Sequence, residues 1–424
     1  PEKWQSFLNY CVQDVVTEKT IRSKIAFFTI PDTEKKLWQL DQQINDIGIL
    51  LDHEFVKTAI RLDHTNKERL TAEAIELTQL DNPNSAAQLK KWLSEETGDK
   101  ITGLTKADIP VILDKLPAPN VKRVLNIRQE MAKTSVKKYS AMLKGICNDS
   151  RVRGLLQYYG ANRTGRWAGR LVQVQNLPQN HLKDLDLARQ LVREGDLELL
   201  EMMFGNVPDT LSQLIRTAFI AAPGRRFIVA DFSAIEARVI AWLAGEKWRL
   251  DVFNTHGKIY EASASQMFKV PIDNISKDLR QKGKISELAL GFGGGPNALL
   301  KMDTKKSLDV DELPKLVRMW RNANIKIVKL WSTVENAAIA AVEGTPTTIQ
   351  HAIRFFMKNN ILYIQLPSGR MLSYLRPKLQ PGKFEKDCII YEGLNQTTKK
   401  WCRMDTYGGK LVENIVQAIA RDLL

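Results

Sequence analysis

Apolar residues recur at helical spacing over most of the chain. Residues 4–24 read as an amphipathic helix, and a break follows at Pro31-Asp32. Leu37, Leu40, Ile44 and Ile47 share one stripe, which predicts a helix over 33–48 closed by Gly48. Helical spacing with polar interruptions continues to about 146, crossed by a loop at Asp81-Asn-Pro-Asn-Ser. Within it, Val121–Leu143 keeps apolar positions at helical spacing with Lys and Arg elsewhere, which predicts one long basic helix. Arg151–Tyr159 and Arg170–Val174 read as short strands around Gly160-Ala-Asn-Arg-Thr-Gly, and 182–220 returns to helix. Arg226-Phe-Ile-Val-Ala-Asp231 reads as a buried strand ending in a carboxylate. A helix over about 234–244 and further helices to about 343 follow. Strand pairs with turns at Pro367-Ser-Gly and Pro381-Gly fill 346–392, and Gly409–Leu424 is a final helix. This order predicts an α+β fold, mostly helical, with helical appendages on a mixed sheet.

Composition narrows the class. The chain has 424 residues, 44% hydrophobic and 26% charged, enough to bury a large core without disulfides. That excludes a disordered tail, a collagen-like fibre and a disulfide miniprotein. Apolar runs stop short of the roughly 18 residues a membrane span needs, so no membrane partner is expected. Cys11, Cys147, Cys388 and Cys402 form no CxxC pair, and the five histidines stand at no ligand spacing from them. They read as reduced thiols of a cytoplasmic protein, without structural zinc.

The formal charge is +14, and it is concentrated. Residues 121–180 hold twelve Lys or Arg against two acids, Glu130 and Asp149, or +10 in sixty residues. Such a stretch suits a polyanionic partner, or equally a solvated surface.

Three segments carry candidate chemistry. In Phe227-Ile-Val-Ala-Asp231-Phe-Ser-Ala-Ile-Glu236-Ala-Arg238 an apolar run delivers Asp231, and Ser233-x-x-Glu236 opens a helix. That pair reads equally as a capping box with no further role. In Arg280-Gln-Lys-Gly-Lys284-Ile-Ser-Glu-Leu288-Ala-Leu-Gly-Phe292, the residues Arg280, Lys284 and Leu288 are four apart and share one helix face, which Phe292 extends if the helix reaches it. Two cations followed by apolar positions can hold a triphosphate and a base, or simply form an amphipathic helix with a Gly-rich end; no GxxxxGK[ST] loop is present. Thr164-Gly-Arg166 to Gln175-Asn176-Leu-Pro178 packs arginines and amides suited to phosphate and minor-groove contacts, or a plain polar hairpin.

Taken in order, TGR…QNLP, DFSAIEAR and RxxxKxxxLxxGF resemble the polymerase domain of family A DNA polymerases, the DNA polymerase I-like family, in a form like those of bacteriophages. The resemblance covers nearly the whole chain. It implies a right-hand fold. Residues 1–32 would be a remnant of a 3′→5′ exonuclease domain and linker, and 33–145 the thumb with leading palm helices. Residues 146–250 would be palm, 251–345 fingers and 346–424 returning palm. The implied activity is template-directed addition of deoxynucleotides to a primer 3′ end, with two Mg²⁺ ions, primer–template DNA and deoxynucleoside triphosphates as partners, in a monomer.

Residue by residue, Asp231 matches a metal-binding aspartate, with the Phe232 carbonyl as an extra ligand. Glu236 matches the glutamate that crowds the sugar 2′ position, and Arg238 a support for the primer end. Arg280 and Lys284 match the cations on the triphosphate, Lys284 in a catalytic role. Arg166, Gln175 and Asn176 match duplex contacts. Tyr10 and Asp14, in Tyr10-Cys-Val-Gln-Asp14, fit an exonuclease YxxxD element, or an ordinary helical pair. The chain departs from the pattern at three nucleotide-binding positions. Leu288 stands where relatives carry Phe or Tyr, which implies poor dideoxynucleotide incorporation. Phe292 stands for a tyrosine and Tyr260 for a phosphate-binding histidine.

The resemblance also implies a second catalytic aspartate in a His-Asp-Glu turn. No His-Asp dipeptide occurs, and Asp52-His53-Glu54 has the wrong order and place. With Pro1 not a starting Met, the chain is therefore expected to be a fragment of a longer polymerase, without exonuclease activity and with its own extension activity in question. A silent primer–template binding fragment and a single-subunit RNA polymerase relative are the alternatives; the bulky Glu236 argues against the second.

Overall fold

The computed structural model describes residues 2–105, 108–115, 118–304, 306–381 and 387–424. They form two compact units, one of residues 1–158 and 168–227, the other of residues 159–167 and 228–424.

The first unit is helical. It begins with α1 (Glu2–Ile25), which buries none of its residues, and α2 (Asp32–Ile47). The helix expected over 33–48 is present, but its apolar stripe is turned outward: Leu40, Ile44 and Ile47 are exposed, and the residue it buries is Asp41. After β1 (Ile49–Leu50), Asp52 caps α3 (His53–Thr78) by accepting the Phe55 N–H. Then come α4 (Ala86–Thr97), α5 (Asp108–Lys115), α6 (Pro119–Met131) and α7 (Lys137–Gly145). The single basic helix expected over 121–143 is thus two. Side chains at the break bond elsewhere: Lys133 pairs with Asp209, and the Ser135 and Ser212 hydroxyls lie 2.7 Å apart. Short strands β2 (Arg151–Val152), β3 (Leu156–Gln157) and β4 (Ala168–Gly169) follow. Residues 170–174 form turns rather than the expected strand, because Leu171 and Gln173 take left-handed backbone. Helices α8 (Leu185–Glu194), α9 (Leu197–Phe204) and α10 (Val207–Leu214) complete the unit. Phe55, Tyr139, Met142, Leu191 and Leu211 lie at its core.

The second unit joins helices to one sheet. Its elements are α11 (Ile235–Ala244), α12 (Lys247–Asn254), α13 (Ile259–Phe268), α14 (Lys277–Leu290), α15 (Pro296–Met302), α16 (Leu313–Ala323) and α17 (Ile325–Val342), then β5 (Thr347–Thr348), β6 (Arg354–Lys358), β7 (Ile361–Gln365), β8 (Met371–Pro381), β9 (Asp387–Leu394) and β10 (Trp401–Thr406), then α18 (Gly408–Leu423). The strands lie in the order β10-β9-β8-β7-β6-β5. Every pairing is antiparallel, so the expected mixed sheet is a meander. The expected turn at Pro381-Gly falls partly outside the described residues. Phe355, Leu362, Ile364 and Tyr374 pack from the sheet with Leu411, Ile415 and Trp320 from the helices.

One expected strand is absent. Residues 225–230 take no regular structure, and Ile228 and Val229 are 86% and 91% exposed. The apolar, β-branched composition is that of a strand, but a strand needs a paired neighbour. Among the described residues none pairs with this segment.

Buried charge ties the first unit together. Asp52, 7% exposed, accepts from Arg189 Nη2 at 2.5 Å and from Arg193 Nε at 3.1 Å. Asp52→Ala removes that acceptor and the α3 cap together. It is expected to destabilise this unit by about 3 kcal/mol, the low end for a broken buried pair because Arg193 stays half in water. Urea unfolding followed by far-UV circular dichroism checks this.

Candidate active site

The Asp231 segment approaches α11 through an unusual turn. Ala234 sits in left-handed backbone, φ 52°, and turns the chain from its exposed run into the helix. The expected capping box does not form, since Ser233 is not the N-cap and no side chain caps α11. Arg238 secures the turn instead, with Nε donating to the Ser233 carbonyl at 2.8 Å and the guanidinium 4.6 Å from the Phe253 ring centre. Glu236, in the first turn of α11, accepts from Arg166 Nη1 at 2.6 Å.

Arg166 is itself held in place. Thr164 and Gly165 just before it are gripped by two buried arginines. Arg370 Nη1 donates to the Thr164 carbonyl at 2.9 Å, and Arg421 Nε to the Gly165 carbonyl at 3.2 Å. Gly165 has φ +78°, and a Cβ there would stand 2.6 Å from Arg370 Nη1, so only glycine fits this crossing.

Helix α14 carries the second group. Ser276 caps it, accepting from the Leu279 N–H at 3.2 Å. Arg280 and Leu288 are exposed and Lys284 half-buried along one face. Arg280 Nε donates to Glu261 Oε1 of α13 at 2.7 Å. Burial pushes the Glu261 carboxyl up, but the Arg280 hydrogen bond, a backbone N–H and the charges of Arg280 and Lys258 together hold the group below its usual range. Arg280 and Lys284 lie 5.7 and 6.0 Å from the Tyr260 ring centre. The helix ends at Leu290, so Phe292 lies just beyond it, after Gly291, whose carbonyl accepts from Trp331 Nε1 at 3.1 Å.

The two groups meet at a pocket of about 350 Å³, whose wall includes Phe232, Glu236, Tyr260, Leu288 and Phe292. Sequence reasoning missed part of that wall. Arg249, Glu287 and Trp320 line it too, joined in a buried network. No local pattern marks them, because Arg249 and Glu287 lie 38 residues apart on different helices.

Gln175 and Asn176 are exposed in a 3₁₀ turn, Val174–Asn176, of the first unit. Tyr10 and Asp14 are exposed one turn apart on α1. Asp231 is exposed, and among the described residues no three His, Cys, Asp or Glu side chains gather as a metal set. One carboxylate beside one carbonyl, that of Phe232, does not fit two Mg²⁺ ions.

Residues 55–330 match the family described as DNA polymerase family A. The chain belongs to this family. A DNA polymerase of Bacillus phage SP02 is 58% identical over 429 aligned residues, covering 100% of this chain and 66% of the relative. The thermostable DNA polymerase I of Thermus aquaticus is 26% identical over 280 residues, 61% of this chain and 30% of the relative. The chain thus spans 66% of the phage family member and less of the bacterial one. The fold is similar to that of the POL domain of Pol1 from M. smegmatis, solved as a complex with DNA primer-template and dNTP. That match has a TM-score of 0.52 at 16% identity and covers 89% of this chain and 53% of that one. No described helix is long and apolar enough to cross a membrane.

Proposed function

We propose that the chain is the synthetic core of a DNA polymerase, adding deoxynucleotides to a primer 3′ end as the template directs. The observation that carries this reading is the convergence of Arg280, Lys284 and Leu288 on one face of α14, beside a pocket walled by Glu236, in a member of family A. On this reading 33–145 serves as thumb with leading palm helices, 146–250 and 346–424 as palm and 251–345 as fingers, with 1–32 as exonuclease-domain remnant and linker.

The roles follow from side-chain chemistry. Arg280 offers a planar guanidinium to phosphate oxygens and Lys284 a point charge that stabilises the leaving pyrophosphate. The Tyr260 ring lies near both cations, and Glu261 anchors Arg280 through its Nε. Leu288 and Phe292 give the sugar and base an apolar floor. Glu236, kept in place by Arg166, crowds the 2′ position, so a ribose hydroxyl meets a carboxylate that cannot swing freely. Arg166, Gln175, Asn176 and Arg238 serve the duplex and primer end.

Because no set of three metal-ligating side chains gathers around Asp231 among the described residues, a second reading is binding of primer–template and nucleotide without extension. Primer extension with Mg²⁺ and four deoxynucleotides separates the two, with binding to a dideoxy-terminated primer–template measured alongside. Extension abolished by Asp231→Ala supports synthesis; binding alone supports the second reading; neither refutes both. Lys284→Ala is expected to weaken deoxynucleotide binding about tenfold, and to slow incorporation by about 10²–10³-fold where extension occurs. Unchanged nucleotide affinity would remove Lys284 from the site.

The basic stretch divides by contact. Arg123 is bound to Glu73, Lys133 to Asp209 and Arg153 to Asp149, whereas among the described residues Lys122, Lys137 and Lys144 are exposed and without ion pairs. Lys137→Glu with Lys144→Glu should weaken duplex binding at every sequence and reduce the salt slope by about one per lost phosphate contact. Fluorescence anisotropy against salt concentration measures it; an unchanged slope would make these lysines a solvated surface only.

A further inference from the structure

The nucleotide-facing side of α14 has a neighbouring anchor face. It holds Gly283 and Glu287, each one residue before a member of the Lys284–Leu288 pair and one helical turn apart. At Gly283 the backbone approaches α13 closely: a Cβ would stand 2.5 Å from the Tyr260 carbonyl oxygen and 3.0 Å from the Ala264 Cβ. At Glu287 the side chain is 5% exposed and fully engaged. Its Oε1 accepts from Arg249 Nη1 at 2.9 Å and from Trp320 Nε1 at 2.9 Å, and its Oε2 from Arg249 Nη2 at 2.5 Å. Asn324 closes the ring, accepting from Arg249 Nη1 at 2.8 Å and donating to the Trp320 carbonyl at 2.9 Å. One carboxylate on α14 is thus bonded to α12 and α16, and to the junction of α16 and α17 through Arg249.

Close approach at Gly283 fixes how near α14 lies. It leaves rotation about the helix axis open. A two-pronged guanidinium–carboxylate pair is directional and closes that freedom. Apolar side chains of similar volume often stabilise as well as a buried ion pair, so retention of such a pair needs a reason other than stability. Here the adjacent residue is Leu288, and Lys284 lies one turn before it. A few degrees of rotation at Glu287 would move their tips together, and displacement of about 1 Å at a reacting site costs about a hundredfold in rate.

We propose that Glu287 and Arg249 are positioning residues for the nucleotide face: their buried pair sets the rotation of α14 so that Arg280, Lys284 and Leu288 address one ligand together. The proposal rests on the reading of that face as a deoxynucleotide site. It assigns neither residue a contact with the nucleotide.

The test replaces the pair in the full chain with Arg249→Met/Glu287→Met, which keeps volume and removes direction. Glu287→Gln serves as the second variant if the first does not fold. Two measurements are made on the same samples: amide hydrogen exchange across 277–290 against α11 and α18, and dATP affinity on a dideoxy-terminated primer–template with a templating T. The expected result is exchange about tenfold faster in α14 alone and a dATP Kd about tenfold higher, at unchanged primer–template affinity. Unchanged exchange overturns the proposal, whatever the affinity. Faster exchange with unchanged dATP affinity also overturns it, leaving the pair a packing element. If the unaltered chain binds no dATP, the deoxynucleotide reading fails on that control, and exchange alone then decides whether the pair orients α14.

Discussion

Helix α18 is the constraint on which the site-bearing parts of residues 228–424 depend. It buries Leu411, Val412, Ile415, Val416 and Ile419 against the surrounding core, and its ends are fixed by different means. At its start Gly408 and Gly409 lie flush against the Trp331 and Phe292 carbonyls, where any Cβ would overlap them. At its end Arg421 donates to the Gly165 carbonyl, and Arg370 bridges Asp422, the Ala418 carbonyl and the Thr164 carbonyl. A helix of this length spans roughly 24 Å. One rigid rod therefore locates the loop that follows α14 and the segment that presents Arg166. Nucleotide and duplex functions can share a site only if such distances are kept.

The charged residues divide their work in the same manner. Part of the positive charge between 121 and 180 serves architecture. Arg123 with Glu73 joins α3 to α6, and Arg153, by its hydrogen bonds, draws the Asp149 carboxyl down to about 2. Both are partly or wholly exposed pairs, so salt screens them and they contribute little to stability. Their effect is to place guanidinium groups rather than to strengthen the fold. The Arg166–Glu236 pair is of this kind: half-exposed, it adds little stability but keeps a carboxylate at the pocket wall.

Helices α11, α14 and α18 and strands β6 to β9 were legible in the sequence, because each repeats an apolar period over several turns or pairs; β10 lies beyond the strand-bearing stretch expected over 346–392. So was the shared face of Arg280, Lys284 and Leu288, a matter of spacing alone. The segment 226–231 was misread because composition reports what a backbone could do, while a strand also needs a partner. Ser233 and Glu236 have the spacing of a capping box, but a left-handed Ala234 moved the cap and released Glu236 to Arg166. The Arg249–Glu287 pair was not legible: its members lie 38 residues apart on different helices, and only the packing of α12 against α14 brings them together.

The account stands on the α14 face being where a deoxynucleotide binds. Photolabelling with 8-azido-dATP in the presence of primer–template, followed by peptide mapping, tests this most directly. The account predicts label in the peptides spanning 277–292 or 231–238, competed by unlabelled dATP. Competed label confined to other peptides would contradict it.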